Sequence, residues 1–234
     1  MSQLFACARN VALCAAIVFS AANFSSAATV TLDTLLVPGA TFTSGDKLFS
    51  AFTYISTPGK ELPTAAQVTV TDIQDADDNF GIRMTGQWFD LPGNGASGFL
   101  VTFNVTATDP ALLISDVHLG GNVSLTGPGL ASVVETFLPL FPNVILEIVD
   151  EPGETDLVDS VIFSTPVRTL PVQKDITLFA MGNGPNRAHL SFIDQTFSQV
   201  PDPNQNEIAE PATISMVGLL SMFLGAIYMR RRLG

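Results

Sequence analysis

Between Phe99 and Thr108 every second side chain is apolar: Phe99, Val101, Phe103, Val105 and Ala107 alternate with Thr102, Asn104, Thr106 and Thr108. A helix advances about 100° per residue and would scatter these groups around its axis, whereas an extended strand gathers alternate residues on one face. The same period runs through Phe80, Ile82, Met84 and Trp88, against Arg83, Thr85 and Gln87, and through Val68 and Val70. The turn-rich stretch 91–98, containing Asn94-Gly95, separates two of these runs and predicts an antiparallel hairpin.

Further β-rich runs lie near 47–55, 112–125, 131–138, 143–149, 157–164, 174–181 and 188–198. Gly120-Gly121-Asn122 and Gly182-Asn183-Gly184-Pro185 punctuate them, and only 129–138 also tolerates a helical reading. About ten such strands predict an all-β fold, an antiparallel β-sandwich or jelly roll over 29–200. Phe42, Phe49, Phe52, Phe80, Phe99, Phe103 and Phe163 are the expected aromatic core, with Trp88 in the inward phase. At 47% hydrophobic the chain cannot stay solvated as a disordered coil.

The two ends read as addresses. Arg9 precedes a twelve-residue apolar stretch, Val11 to Ala22, followed by small residues through Ala28, the pattern of a cleaved signal peptide over 1–28. At ~1.5 Å per residue that stretch covers about 18 Å, short of a ~30 Å hydrocarbon core. Cys7 and Cys14 both fall inside the signal segment 1–28, so the body carries no cysteine for a disulfide, a thiolate nucleophile or a zinc site. Residues 201–209 form a polar linker. Ala212 to Met229 is eighteen residues without charge, enough for a lightly tilted transmembrane helix, and Arg230, Arg231 and Arg232 place its far end in the cytoplasm.

Ala209-Glu210-Pro211-Ala212-Thr213, the apolar helix and the arginine cluster together resemble the PEP-CTERM sorting signal of Gram-negative bacteria, here over 210–234. Ala209 stands where that motif has its first proline. The resemblance implies export through the secretion translocon, a membrane-anchored precursor, and handling by an exosortase-type membrane transpeptidase at Ala209, Glu210 and Pro211. It also implies a place at the cell surface or in the extracellular matrix, often with exopolysaccharide. The blocks GDKLFSAFTY, DSVIFSTPVRTLPVQKDITL and AHLSFIDQTFSQ resemble segments common in uncharacterised PEP-CTERM proteins. That likeness implies a shared extracellular β-domain and brings no catalytic residues.

The chemistry-bearing residues are few. His118 and His189 share no metal-ligand spacing, and neither H-E-x-x-H nor a G-x-S-x-G elbow occurs. Lys47, Lys60, Arg83, Arg168, Lys174 and Arg187 face 21 acidic residues between 28 and 209, a net charge of −15. Such a surface disfavours nucleic acid and other anionic polymers. Two loops concentrate carboxylates: Asp72, Asp75, Asp77 and Asp78 beside Asn79, and Asp150, Glu151, Glu154, Asp156 and Asp159. Calcium takes six to eight oxygen ligands, so the first loop is a candidate calcium site and the solvated turn its rival. Crowding on one loop is not the pair of carboxylates facing across a cleft that a glycosidase needs.

These readings predict a non-enzymatic exported surface protein without a cofactor, the alternatives being a polysaccharide- or calcium-binding module and an enzyme of unknown type. Replacing Glu210 and Pro211 with Ala is expected to block C-terminal shortening while leaving membrane insertion intact. Acidic residues at 230–232 should instead disturb retention, since charges at the membrane centre cost about 2.5–3.5 kcal/mol each even on the lowest scale. C-terminal mass spectrometry in an exosortase-positive host decides, and Arg232 still attached to surface-released protein would overturn the sorting reading.

Overall fold

A computed structural model describes residues 27–57, 60, 62–93 and 95–205. Most of the expected signal peptide and the whole sorting signal, with its helix 212–229, lie outside the described residues. Among those described, no helix is long and apolar enough to cross a membrane.

Among the described residues, fourteen strands make two seven-stranded antiparallel sheets. The first sheet contains β1 (Thr29–Thr31), β4 (Thr69–Gln74), β5 (Phe80–Asp90), β7 (Leu112–Gly121), β8 (Ser124–Thr126), β12 (Val158–Val167) and β14 (Arg187–Pro201). Its order is β1-β4-β5-β14-β7-β12, with β8 also paired to β14. The second holds β2 (Thr41–Ser44), β3 (Lys47–Ser56), β6 (Ser97–Ala107), β9 (Gly129–Phe137), β10 (Phe141–Glu151), β11 (Glu154–Asp156) and β13 (Thr169–Ala180). Its order is β11-β10-β9-β13-β6-β3-β2.

The ten expected runs are all strands, including the ambiguous 129–138, which becomes β9. The count rises to fourteen because β1, β2, β8 and β11 have three or four residues each, too few for a period of two to declare itself. Strand β6 alternates buried and half-exposed along its whole length, and its outward threonines pair across strands, Thr53 Oγ1 to Thr102 Oγ1 at 2.7 Å and Thr106 Oγ1 to Thr169 Oγ1 at 2.9 Å.

Both inner faces pack into one core, where the expected phenylalanines are buried apart from Phe80, which is half-buried. Its ring lies over Gly45, where an added Cβ would meet it at 2.2 Å. Trp88 points inward and stacks on Phe99 of the facing sheet with centroids 4.9 Å apart and planes 11° from parallel. Its Nε1–H donates to the Tyr54 hydroxyl at 3.3 Å, and that hydroxyl donates to the Pro63 carbonyl at 2.7 Å.

Two irregularities bring extra side chains inward. Ala51, at φ 55°, marks a bulge in β3 that buries both Phe49 and Phe52, three positions apart. A second register shift in β14 buries both Leu190 and Ile193, and Asn122 Oδ1 accepts the Ser191 and Phe192 amides there at 3.0 and 2.9 Å. Three polar side chains meet at the centre of the core, Lys174 of β13, Glu135 of β9 and Gln195 of β14, all fully buried.

Trp88→Ala is expected to lower stability by about 3–5 kcal/mol, because it removes the inter-sheet stack and leaves a cavity. Trp88→Phe should cost clearly less. Denaturant unfolding midpoints test this, and equal losses in the two variants would show that ring stacking is not what holds the sheets here.

Candidate functional site

The outer face of the first sheet carries a shallow groove of about 610 Å³ spanning β4, β5, β14, β7 and β12. Strand register builds it in cross-strand rows. One row runs Ile73, Gly81, Thr196, His118, Ser160. The next runs Thr71, Arg83, Asp194, Gly120, Val158. These are the outward positions of strands whose inward positions, such as Ile82, Gln195 and Leu119, are buried. Gly120 leaves the floor low: an added Cβ would find its nearest neighbour, Asp194 Cβ, at 3.7 Å, an ordinary contact.

Arg83 and Asp194 dominate the second row. Arg83 Nε donates to Asp194 Oδ1 and Nη2 to Oδ2, both at 2.6 Å, a two-point fork. That hydrogen bonding raises the guanidinium pKa further, against a smaller opposing effect of burial. Arg83 also lies over the Phe192 ring at 4.3 Å, and Arg187 covers Phe89 at 4.8 Å in the same manner. The outward aromatics of this sheet are therefore capped by guanidinium groups. In the neighbouring row His118 Nε2 lies 3.3 Å from Asp116 Oδ1, and the imidazole is 40% exposed.

The four aspartates of the candidate calcium loop go to different places. Asp75 and Asp77 line the groove. Asp72 shares the inward phase of Val68 and Val70 on the other face of β4, and its Oδ1 is buried without a hydrogen bond. Asp78 takes the turn position at φ 64°, and its Oδ1 accepts from Gln74 Nε2 at 3.2 Å. Asp75 organises the turn: Oδ1 accepts the Asp77 and Asn79 amides at 2.9 Å each, and Oδ2 accepts Thr196 Oγ1 at 2.7 Å and Asn79 Nδ2 at 3.1 Å. Among the described residues no group of three or more His, Cys, Asp or Glu could hold a metal ion.

The second acidic cluster also caps backbone. Asp150 Oδ2 accepts the Leu125 amide at 2.7 Å, and Asp159 accepts the Glu147 amide at 3.0 Å and the Ser160 amide at 2.7 Å. His189 lies outside the groove, opposite Phe89, where burial and then Arg187 push its pKa below the usual histidine value. Sequence reading missed Arg83 with Asp194, because the partners lie 111 positions apart and only the β5–β14 register joins them.

No family model matches this sequence, and no curated protein matches it. Among solved structures, the enzymatically active domain of bacteriophage CBA120 tailspike protein 4 aligns at TM-score 0.29 and 14% identity, over 63% of this chain and 19% of that one. TmCBM61 in complex with β-1,4-galactotriose aligns at TM-score 0.29 and 6% identity, over 64% and 90% of the two chains. The family 32 CBM from C. perfringens NanJ in complex with galactose aligns at TM-score 0.25 and 14% identity, over 62% and 93%. Likeness at this level extends to neither the groove nor its residues.

Asp75 supplies a pH test. Burial alone would raise its pKa, but the hydrogen bonds from Thr196, Asn79 and Asp77 together hold it below the ordinary 3.8. The stability it contributes is therefore complete above that value and is lost as pH falls through the lower folded value. Asp75→Asn is expected to be less stable than wild type at about pH 5, with the gap narrowing toward about pH 3. Denaturant midpoints at the two pH values test this, and a constant gap would show that the charge of Asp75 does not matter to the turn.

Proposed function

We propose that this chain is an exported surface or matrix protein whose β-sandwich binds a neutral polysaccharide in the groove across the first sheet. One observation carries the reading: four adjacent strands present Arg83 beside Asp194 and His118 beside Ser160 in neighbouring cross-strand rows over a low glycine floor, with Asp75 in the turn after β4 at its border. Planar, charged groups held on strands suit the vicinal hydroxyls of a sugar chain: beyond their mutual fork, Arg83 keeps three N–H donors and Asp194 two lone pairs, already oriented. The groove is open and shallow, which fits an extended polymer lying across the strands better than a small molecule that must be enclosed.

Charge selects among polymers. Asp75, Asp77, Asp159 and Asp194 line the groove against Arg83, and the body as a whole is acidic, so a uronic-acid or sulfated chain would be repelled. A binding rather than catalytic role is supported by how the carboxylates are occupied: Asp194 is forked to Arg83, and Asp75 is held in its turn. The C-terminal segment resembling a sorting signal would bring this domain to the outside, where such polymers are met.

Gly120→Val tests the site, because the added side chain rises into the groove while its Cβ makes only ordinary contacts. Wild type is expected to be retarded in affinity electrophoresis through neutral polysaccharides and unaffected by acidic ones. Gly120→Val and Arg83→Ala should each weaken binding about tenfold or more, the loss of one charged hydrogen bond being worth about 1.5–3 kcal/mol. Retention of full binding by Gly120→Val, or retardation by acidic polymers alone, would overturn the reading. Repeating the measurement with and without calcium separates a sugar site from a calcium-dependent one.

A further inference from the structure

Lys174, Glu135 and Gln195 meet at the middle of the core. Lys174 and Glu135 face each other directly across the β13–β9 pair, and Lys174 Nζ contacts Glu135 Oε2. The same Nζ contacts the side-chain carbonyl of Gln195, which reaches in from β14 in the opposite sheet. All three residues are fully buried. Their neighbours two positions along each strand are Val172, Ile176, Val133, Phe137, Ile193 and Phe197, all buried and apolar. An amine, an amide and a carboxyl group thus touch in a site closed to water.

We propose that Lys174 and Gln195 condense into an intramolecular isopeptide bond that joins the two sheets, with Glu135 moving the proton. The step balances without any co-reactant. Nζ of the neutral Lys174 amine attacks Cδ of Gln195, and Glu135 polarises the amide carbonyl. One Nζ proton passes by way of Glu135 to Nε2, the Cδ–Nε2 bond breaks, and ammonia leaves. Both side chains end as one secondary amide, and Glu135 returns to its starting state.

Three features of the site favour this reaction. Burial lowers the Lys174 pKa and raises that of Glu135, each effect opposed by their mutual attraction. One proton transfer within the pair therefore yields the nucleophilic amine and the carboxylic acid together. Glu135 Oε1 is buried without a partner, an orphan acceptor that a proton-carrying role explains. The folded core also holds nucleophile and carbonyl together, and such placement is worth effective molarities of about 10⁵–10⁸ M. Excluded water removes the competing hydrolysis.

The product would be a covalent staple in a body that has no cysteine after Cys14. It would close a loop between residues 21 positions apart and tie β13 to β14, each in the interior of its sheet. A cross-link of this kind stabilises by restricting the unfolded chain, as a disulfide does, and it survives reductants.

Tryptic mapping of the full chain purified from its exporting host tests the proposal. Wild type is expected to resist cleavage after Lys174, giving one species that joins the peptide 169–187 to the peptide beginning at Ala188 and weighs one ammonia less than their sum. Gln195→Met, which keeps the shape and removes the leaving group, should give three separate peptides, 169–174, 175–187 and the one beginning at Ala188, with cleavage after Lys174 restored. Glu135→Asp, which withdraws the carboxyl by one methylene, should give a mixture with unlinked peptide predominating. Wild-type peptides of full mass, cut after Lys174, would overturn the cross-link whatever the variants do. Complete linkage in Glu135→Asp, or in Glu135→Met if the aspartate variant fails to fold, would overturn the role of Glu135.

Discussion

An ammonium and a carboxylate cannot be buried in an apolar core alone, because each loses its hydration and must find it replaced by a partner. Lys174 and Glu135 replace it with each other and with Gln195, and that requirement reaches well beyond the three residues. Slipping β13 by one residue against β9 would turn Lys174 outward and carry Gln173 or Asp175 into the core opposite Glu135. Moving the sheets relative to one another would separate Gln195 from the amine. A buried ion pair adds little net stability over apolar residues of the same volume, so its consequence here is alignment. The triad holds β13 in register with β9 and fixes both against β14.

The apolar core supplies what the triad does not. Alternate side chains of β5, β6, β7, β9, β13 and β14 fill the space between the sheets, with Trp88 on Phe99 and Phe49 between Phe103 and Phe197 crossing it. Where alternation would leave a gap, the chain breaks its own period. The bulges at Ala51 and near Ser191 each turn two nearly adjacent apolar residues inward, and Asn122 satisfies the amides that the second bulge frees.

The groove is the other side of the same sheet. Because Ile82, Gln195 and Leu119 point into the core, their neighbours Arg83, Asp194, Thr196 and His118 point out, and register lines them up across five strands. The guanidinium of Arg83 serves two partners, forking onto Asp194 and covering Phe192. This leaves a polar, acidic floor in place of an exposed aromatic platform. Edge strand β12 completes the groove with Val158 and Ser160.

Strand identity was legible in the sequence because a half-buried strand must alternate, and the ten longer runs do so or nearly so. The four shortest strands were not, since three or four residues cannot display a period. The absence of cysteine after Cys14, the acidic body and the inward phase of Trp88 could likewise be read directly. The sequence grouped Asp72, Asp75, Asp77 and Asp78 by proximity, whereas the fold divides them by the alternation of β4 and the needs of one turn. Only tertiary structure could join Arg83 to Asp194, or Lys174 to Glu135 and Gln195, because those contacts depend on strand order and register. Local alternation tells which way a side chain faces; what it faces is decided by which strands become neighbours.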